Sequence, residues 1–154
     1  MDETDFKILK ILQAKARIPN VEVARKIGMA PSAVLERIKK LEARGIISGY
    51  EMRVNPAHFN RSMIAFIKIQ TRPAMAGKAA RHLSRFETFQ EIHYIAGDDC
   101  LLAKVRIRDG AELEKILTDT IGSMAEVECT RSALVISTYK ESAAFPLPDS
   151  LPQE

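Results

Sequence analysis

Apolar positions recur at helical spacing through the first third of the chain and at period two beyond it. Residues 4–15 place Phe6, Leu9 and Leu12, with Ile8 and Ile11, on one broad face, which predicts an amphipathic helix. The acidic residues before it suit the positive end of a helix dipole. Ile18-Pro19-Asn20 interrupts the spacing, and Asn20 is the expected N-cap of a short helix over 21–27. Gly28-Met29-Ala30 reads as a tight turn. Pro31 then suits the first position of a third helix that runs to about Arg44 and stops at Gly45. Helix, short helix with small Ala24 at its middle, three-residue turn and longer helix make up the helix-turn-helix plan, which needs a small residue and a glycine for close crossing. Ile46 to Val54 is expected to form a small β wing, and Asn55-Pro56 opens a linker.

After residue 62 the alternation predicts a strand at 62–71, a helix at 73–86, strands at 90–96 and 100–108, a helix at 110–122 and a last strand at 130–140. The order β-α-β-β-α-β is the ferredoxin-like arrangement. The expected class is therefore α+β. The domains are a winged helix-turn-helix over 1–54, a linker at 55–61, a ferredoxin-like domain at 62–141 and a Pro-rich tail at 142–154. Both faces of the strands read as apolar, with Ala133 and Val135 on one and Leu134 and Ile136 on the other. Two helices cover one face of a four-stranded sheet, so a second subunit is expected on the other.

Composition supports this picture and removes alternatives. The chain has 154 residues, no Trp and 6% aromatics, so two small aliphatic cores are expected, each in need of a partner. Cys100 and Cys129 are isolated, and His58, His82 and His93 are scattered without metal-ligand spacing. Neither a Gly-rich phosphate loop nor a GxSxG elbow occurs. No catalytic residue, metal or cofactor is expected. The first residues are acidic and no apolar run approaches membrane length, so a cytoplasmic protein without a membrane partner is expected. Charge is uneven. Residues 1–53 hold 11 Lys/Arg against 7 Asp/Glu, a balance of +4, and the remainder balances at −1. A phosphate-facing head on a neutral body fits that division.

The third helix carries the sharpest chemistry. Val34, Ile38 and Leu41 form its buried stripe, and the candidate DNA-facing set is Ser32, Ala33, Glu36, Arg37, Lys40 and Arg44. A recognition helix places its first residues on base edges and later basic ones on phosphates, and Arg37 is placed for either. Any amphipathic helix has such a solvated face; the turn before it and the wing after it favour double-stranded DNA. Gly97-Asp98-Asp99-Cys100 offers backbone amides and carboxylates side by side, which suits an α-amino acid, although a plain hairpin turn has the same composition.

Several stretches together resemble the Lrp/AsnC, or feast/famine, regulators: Asp5-Phe6-Lys7-Ile8-Leu9, Arg17-Ile18-Pro19-Asn20-Val21, the run from Pro31 to Glu42, Gly45-Ile46-Ile47-Ser48-Gly49-Tyr50, Gly97-Asp98 and Tyr139-Lys140. The resemblance implies a transcriptional regulator with no enzymatic activity. It implies dimers that assemble further, often to octamers around which DNA bends. It also implies an amino-acid effector near Gly97 and Asp98, with Asp99, Cys100, Met124, Thr130 and Ser132 in reach. Three positions depart from the family pattern. Ala30 stands where Ser is usual, which removes an N-cap worth about 1 kcal/mol. The GDxD turn is here GDDC, and Ala125-Glu126-Val127 replaces Pro-Gly before Val. An effector-independent architectural DNA-bending protein is the main alternative. Tetrapyrrole decarboxylases of similar fold are disfavoured by the basic third helix and by the lack of a clustered His/Arg pocket.

Overall fold

Asp2 and Asp5 start the first helix by bonding each other's backbone: Asp5 N–H donates to Asp2 Oδ1 at 2.8 Å and Asp2 N–H to Asp5 Oδ2 at 3.2 Å. This reciprocal cap satisfies two amides that the helix itself leaves unpaired. The computed structural model describes residues 1–96 and 100–150. They form two units, one of Met1–Arg53 with the chain's end from Glu141 and one of Val54–Lys140.

In the first unit, α1 (Glu3–Ala14), α2 (Asn20–Ile27) and α3 (Pro31–Ala43) surround a core of Ile8, Leu12, Ile18, Val23, Ala24, Val34, Ile38 and Leu41. Each large aliphatic so buried contributes about 1.5–3 kcal/mol. Gly28 ends α2 in the left-handed region at φ 72°, and Met29 N–H reaches back to Ala24 O at 3.0 Å. A side chain would strain that backbone, so the turn needs glycine. Two expectations are corrected here. Asn20 is the first residue of α2 and not its cap; Pro19 holds the cap position in an extended conformation with no side-chain bond. The expected β wing at 46–54 holds no strand, and among the described residues no segment pairs with it. Instead, Tyr50 Oη donates to Glu42 on α3 at 2.9 Å. The tail also meets this unit: Gln13 Nε2 donates to Phe145 O and Lys10 Nζ to Asp149 O.

The second unit is a four-stranded sheet in the order β2-β3-β1-β4, every neighbour antiparallel. Its elements are β1 (Met63–Thr71), α4 (Ala76–Leu83), β2 (Phe89–Ile95), β3 (Cys100–Ile107), α5 (Gly110–Lys115) with a π-helical continuation (Ile116–Ile121), and β4 (Val127–Leu134). This is the expected ferredoxin-like order. Ala65, Ile67 and Ile69 of β1 and Leu101, Ala103, Val105 and Ile107 of β3 face Ala79 and Leu83 of α4 and Leu113, Ile116, Ile121 and Met124. α4 starts later than expected because Ala74 takes φ 62°, a turn that helix geometry cannot continue, and it ends earlier, at Leu83. β4 begins earlier than expected and ends at Leu134. Leu134 pairs with Ala65 near the start of β1, so residues 136–140 have no strand to join.

The sheet's open face is mixed, not apolar throughout. Phe66, Leu102 and Ala133 sit there beside Lys68, Glu91, Lys104, Arg106 and Arg131. The alternation was right; the number of charged residues on the second face was underestimated.

Candidate functional site

The head's candidate interface is the outer face of α3. Pro31 begins it at the first helical position, and Ala30 caps it with backbone alone, so the missing Ser is offset by proline's fixed φ. Ser32, Glu36, Lys40 and Arg44 are exposed and Ala33 is half-buried. Glu36 pairs with Lys39 at 3.6 Å, an exposed residue on the same outer face that the sequence reading passed over. Its signal was its helical phase, opposite the Val34-Ile38-Leu41 stripe.

Arg37 has acidic partners within the head. Three residues after Val34, it lies on the flank of the buried stripe and not opposite it. Its Nη1 bonds Asp2 Oδ2 and Asp5 Oδ1, each at 2.7 Å. One guanidinium thus joins both capping carboxylates of α1 to α3. A hydrogen bond from the backbone of Asp5, with that from Arg37, holds the Asp2 carboxyl below its ordinary range, and the two carboxylates raise the Arg37 pKa. Charge-assisted bonds of this length tie α3 to the start of α1.

In the second unit, a cleft of about 770 Å³ opens at the end of the sheet. Ala76 of α4 and Leu101 of β3 give it an apolar wall, and Tyr94 stands at the end of β2. Arg72 and Glu128 line the same cleft, and neither is ion-paired among the described residues. Gly97, Asp98 and Asp99, the expected effector turn, lie outside the described residues. The other expected effector residues are not brought together. Cys100 is buried and pairs with Ile95 and Gln70 on the sheet's other face. Met124 belongs to the core. Thr130 and Ser132 lie along β4 opposite Ile69 and Ile67. No motif marked Arg72, Tyr94 or Glu128, which converge only through the ends of three strands.

A second cleft, of about 480 Å³, lies between α4 and the turn after the π-helical segment. It gathers Lys78, Arg81, His82 and Arg85. The expectation that no His/Arg cluster exists is therefore corrected: the histidines are scattered, but arginines collect around one of them. Among the described residues no group of His, Cys, Asp and Glu could hold a metal ion, and no helix is long and apolar enough to cross a membrane.

A helix-turn-helix head followed by a ferredoxin-like domain with a ligand-sized cleft defines a DNA-binding regulator with a ligand-binding module. The chain belongs to the Lrp/AsnC family: the family's ligand-binding-domain model matches residues 64–145, and a winged helix-turn-helix DNA-binding model matches residues 1–48. It is 36% identical over 147 residues to the HTH-type transcriptional regulator FL11 of Pyrococcus abyssi, covering 96% of this chain and 97% of that one. It is 32% identical over 145 residues to the leucine-responsive regulatory protein of Escherichia coli, covering 92% and 88%. A transcriptional regulator from Neisseria meningitidis, solved as a complex with L-Met, superposes with a TM-score of 0.88 at 28% identity, covering 95% and 96%. The curated relatives are named regulators, and this chain is a regulator and not an enzyme.

Proposed function

We propose that the protein is a sequence-specific transcriptional regulator that binds DNA as a dimer or a higher homo-oligomer such as an octamer and responds to an amino acid in the cytoplasm. Ser32, Ala33, Glu36 and Lys39 meet base edges or the groove wall, and Lys40 and Arg44 meet phosphates. Arg37 sets the orientation of that helix. In the oligomer the sheet's open face is covered by a second copy, with Phe66, Leu102 and Ala133 at its centre.

The observation that carries the effector reading is the larger cleft. One cation, Arg72, and one carboxylate, Glu128, line it with no partner of their own among the described residues, beside an apolar wall. A zwitterion with an apolar side chain satisfies all three features at once. Asp98 and Asp99 are proposed to add carboxylates, and Cys100, Met124, Thr130 and Ser132 to act on the site from behind it or from a neighbouring subunit. The relative solved with L-Met supports the same class of ligand.

A thermal-shift screen of the twenty amino acids tests this. A ligand at 100 times its dissociation constant adds about 2.7 kcal/mol if it avoids the unfolded chain. At least one amino acid is expected to raise the midpoint, and Arg72→Gln and Asp98→Ala to reduce that gain. No shift at millimolar ligand, with the oligomer intact, would favour the architectural DNA-bending reading.

A further inference from the structure

The second cleft is built from features that no effector role for the first one uses. Lys78, Arg81 and His82 lie on one side of α4, and Arg85 follows one turn later. The spacing i, i+3, i+4 sets the first three in a row on the helix, and Arg85, past the helix's last residue Leu83, joins them at the cleft. The opposite side of the helix puts Ala79 and Leu83 into the core, so the row is held outward.

The facing wall exists because of a local backbone device. At the end of the π-helical segment Gly122 N–H bonds Leu117 O at 2.9 Å. A Cβ on Gly122 would lie 2.6 Å from Thr118 O and 2.8 Å from Leu117 O, so only glycine fits. The chain leaving that turn carries Ser123 and Glu126 across from α4.

The charges do not balance. Among the described residues Glu126 is the one carboxylate lining the cleft, and Lys78 engages it at 2.6 Å. Among the described residues Arg81 and Arg85 have no carboxylate partner, whereas Arg61 and Arg108 of the same unit share Glu112. Like charges gathered around one cleft repel, so the cluster costs stability unless an anion sits against it. Two guanidiniums and an imidazole lining one cleft supply donors that suit the oxygens of a phosphate group. A concave space of this size suits a small molecule better than a duplex, which needs a ridge or a long track.

We propose that this cleft is a second ligand site, one that takes a small phosphate-bearing anion. Arg81 and Arg85 hold the phosphate oxygens, His82 donates to them, and the Lys78–Glu126 pair fixes the rim. The site is independent of the amino-acid reading of the first cleft.

Phosphorus NMR on the full-length chain, with inorganic pyrophosphate added at constant ionic strength, tests it. The resonance is expected to broaden saturably, and the imidazole signal of His82 to shift in parallel. Arg81→Gln/Arg85→Gln should weaken binding at least about tenfold, the loss of two charged hydrogen bonds. Lys115→Gln on α5 removes a surface charge elsewhere and should leave it unchanged. DNA affinity of the double variant should equal that of wild type. A double variant that binds pyrophosphate like wild type overturns the proposal, as does an unmoved His82 signal in the wild type. Loss of DNA affinity with pyrophosphate binding intact would make the face a DNA track and also overturn it. If the double variant does not fold, the wild-type His82 shift and Arg85→Lys decide.

Discussion

Arg37 on α3 reaches Asp5 on α1 at 2.7 Å, and the Asp5 side chain is only 13% exposed. The residue best suited by type to read a base is therefore engaged inside the head. Arg37→Ala should lower the thermal midpoint by a few degrees and weaken DNA binding without changing its dependence on salt. Asp5→Asn should do the same, and the double variant should be little worse than either single one. Calorimetry and binding isotherms at several salt concentrations check this; a flatter salt slope in Arg37→Ala would return the residue to the phosphates.

Lys40 makes the contrasting case. It is exposed on α3 and appears in no ion pair with the described residues. Lys40→Ala should weaken all DNA sequences alike and reduce the slope of log affinity against log salt by about one. An unchanged slope, with the fold intact, would remove Lys40 from the interface.

The head's helices were legible because their apolar phase and caps are local signals. Pro31, Gly28 and Gly45 each act within one turn of chain. The ion pairs of Arg37 were not legible, because a stripe drawn from Val34, Ile38 and Leu41 gives the buried side but not how far its flank extends, and Asp2 and Asp5 lie 32 or more positions away. The wing and the end of β4 failed for one reason: alternation marks a segment as able to pair, while a strand needs a neighbour. The clefts were invisible for a related one, since Arg72, Tyr94 and Glu128 come to line one cleft only after the sheet has formed.

Acid stability should show a definite sign. The Arg108 backbone N–H, with the Arg108 and Arg61 side chains, holds the Glu112 carboxyl below its ordinary value of 4.5. A carboxylate whose folded pKa is lowered adds stability that is fully present above 4.5 and lost as pH falls through the folded value. The thermal midpoint should therefore fall with acidification below that point, and Glu112→Gln should flatten the fall. An equally steep fall in the variant would assign it to other carboxylates.

Gly122→Ala places a methyl against two carbonyl oxygens and should destabilise the second unit by about 1–3 kcal/mol, the usual range for overpacking. Urea titration followed by circular dichroism measures it. A neutral result would mean that the π-helical turn relaxes without loss.

Phe66 lies on the open face between Lys104 and Ala133 and is 38% exposed in the single chain. Phe66→Asp should weaken self-association at least about tenfold while leaving the monomer folded, because a buried, unpaired carboxylate costs more than that factor. Light scattering across protein concentration reads it directly. An assembly of unchanged size would place the subunit contact elsewhere.

The central claim is that one chain reads DNA sequence and answers an amino acid. Genomic footprinting with the purified protein, with and without a mixture of the twenty amino acids, tests both halves together. Discrete, pseudo-palindromic protected sites are expected, at least some of which strengthen, weaken or change length when the mixture is added. Uniform protection without sequence preference, unaltered by the mixture, would contradict it.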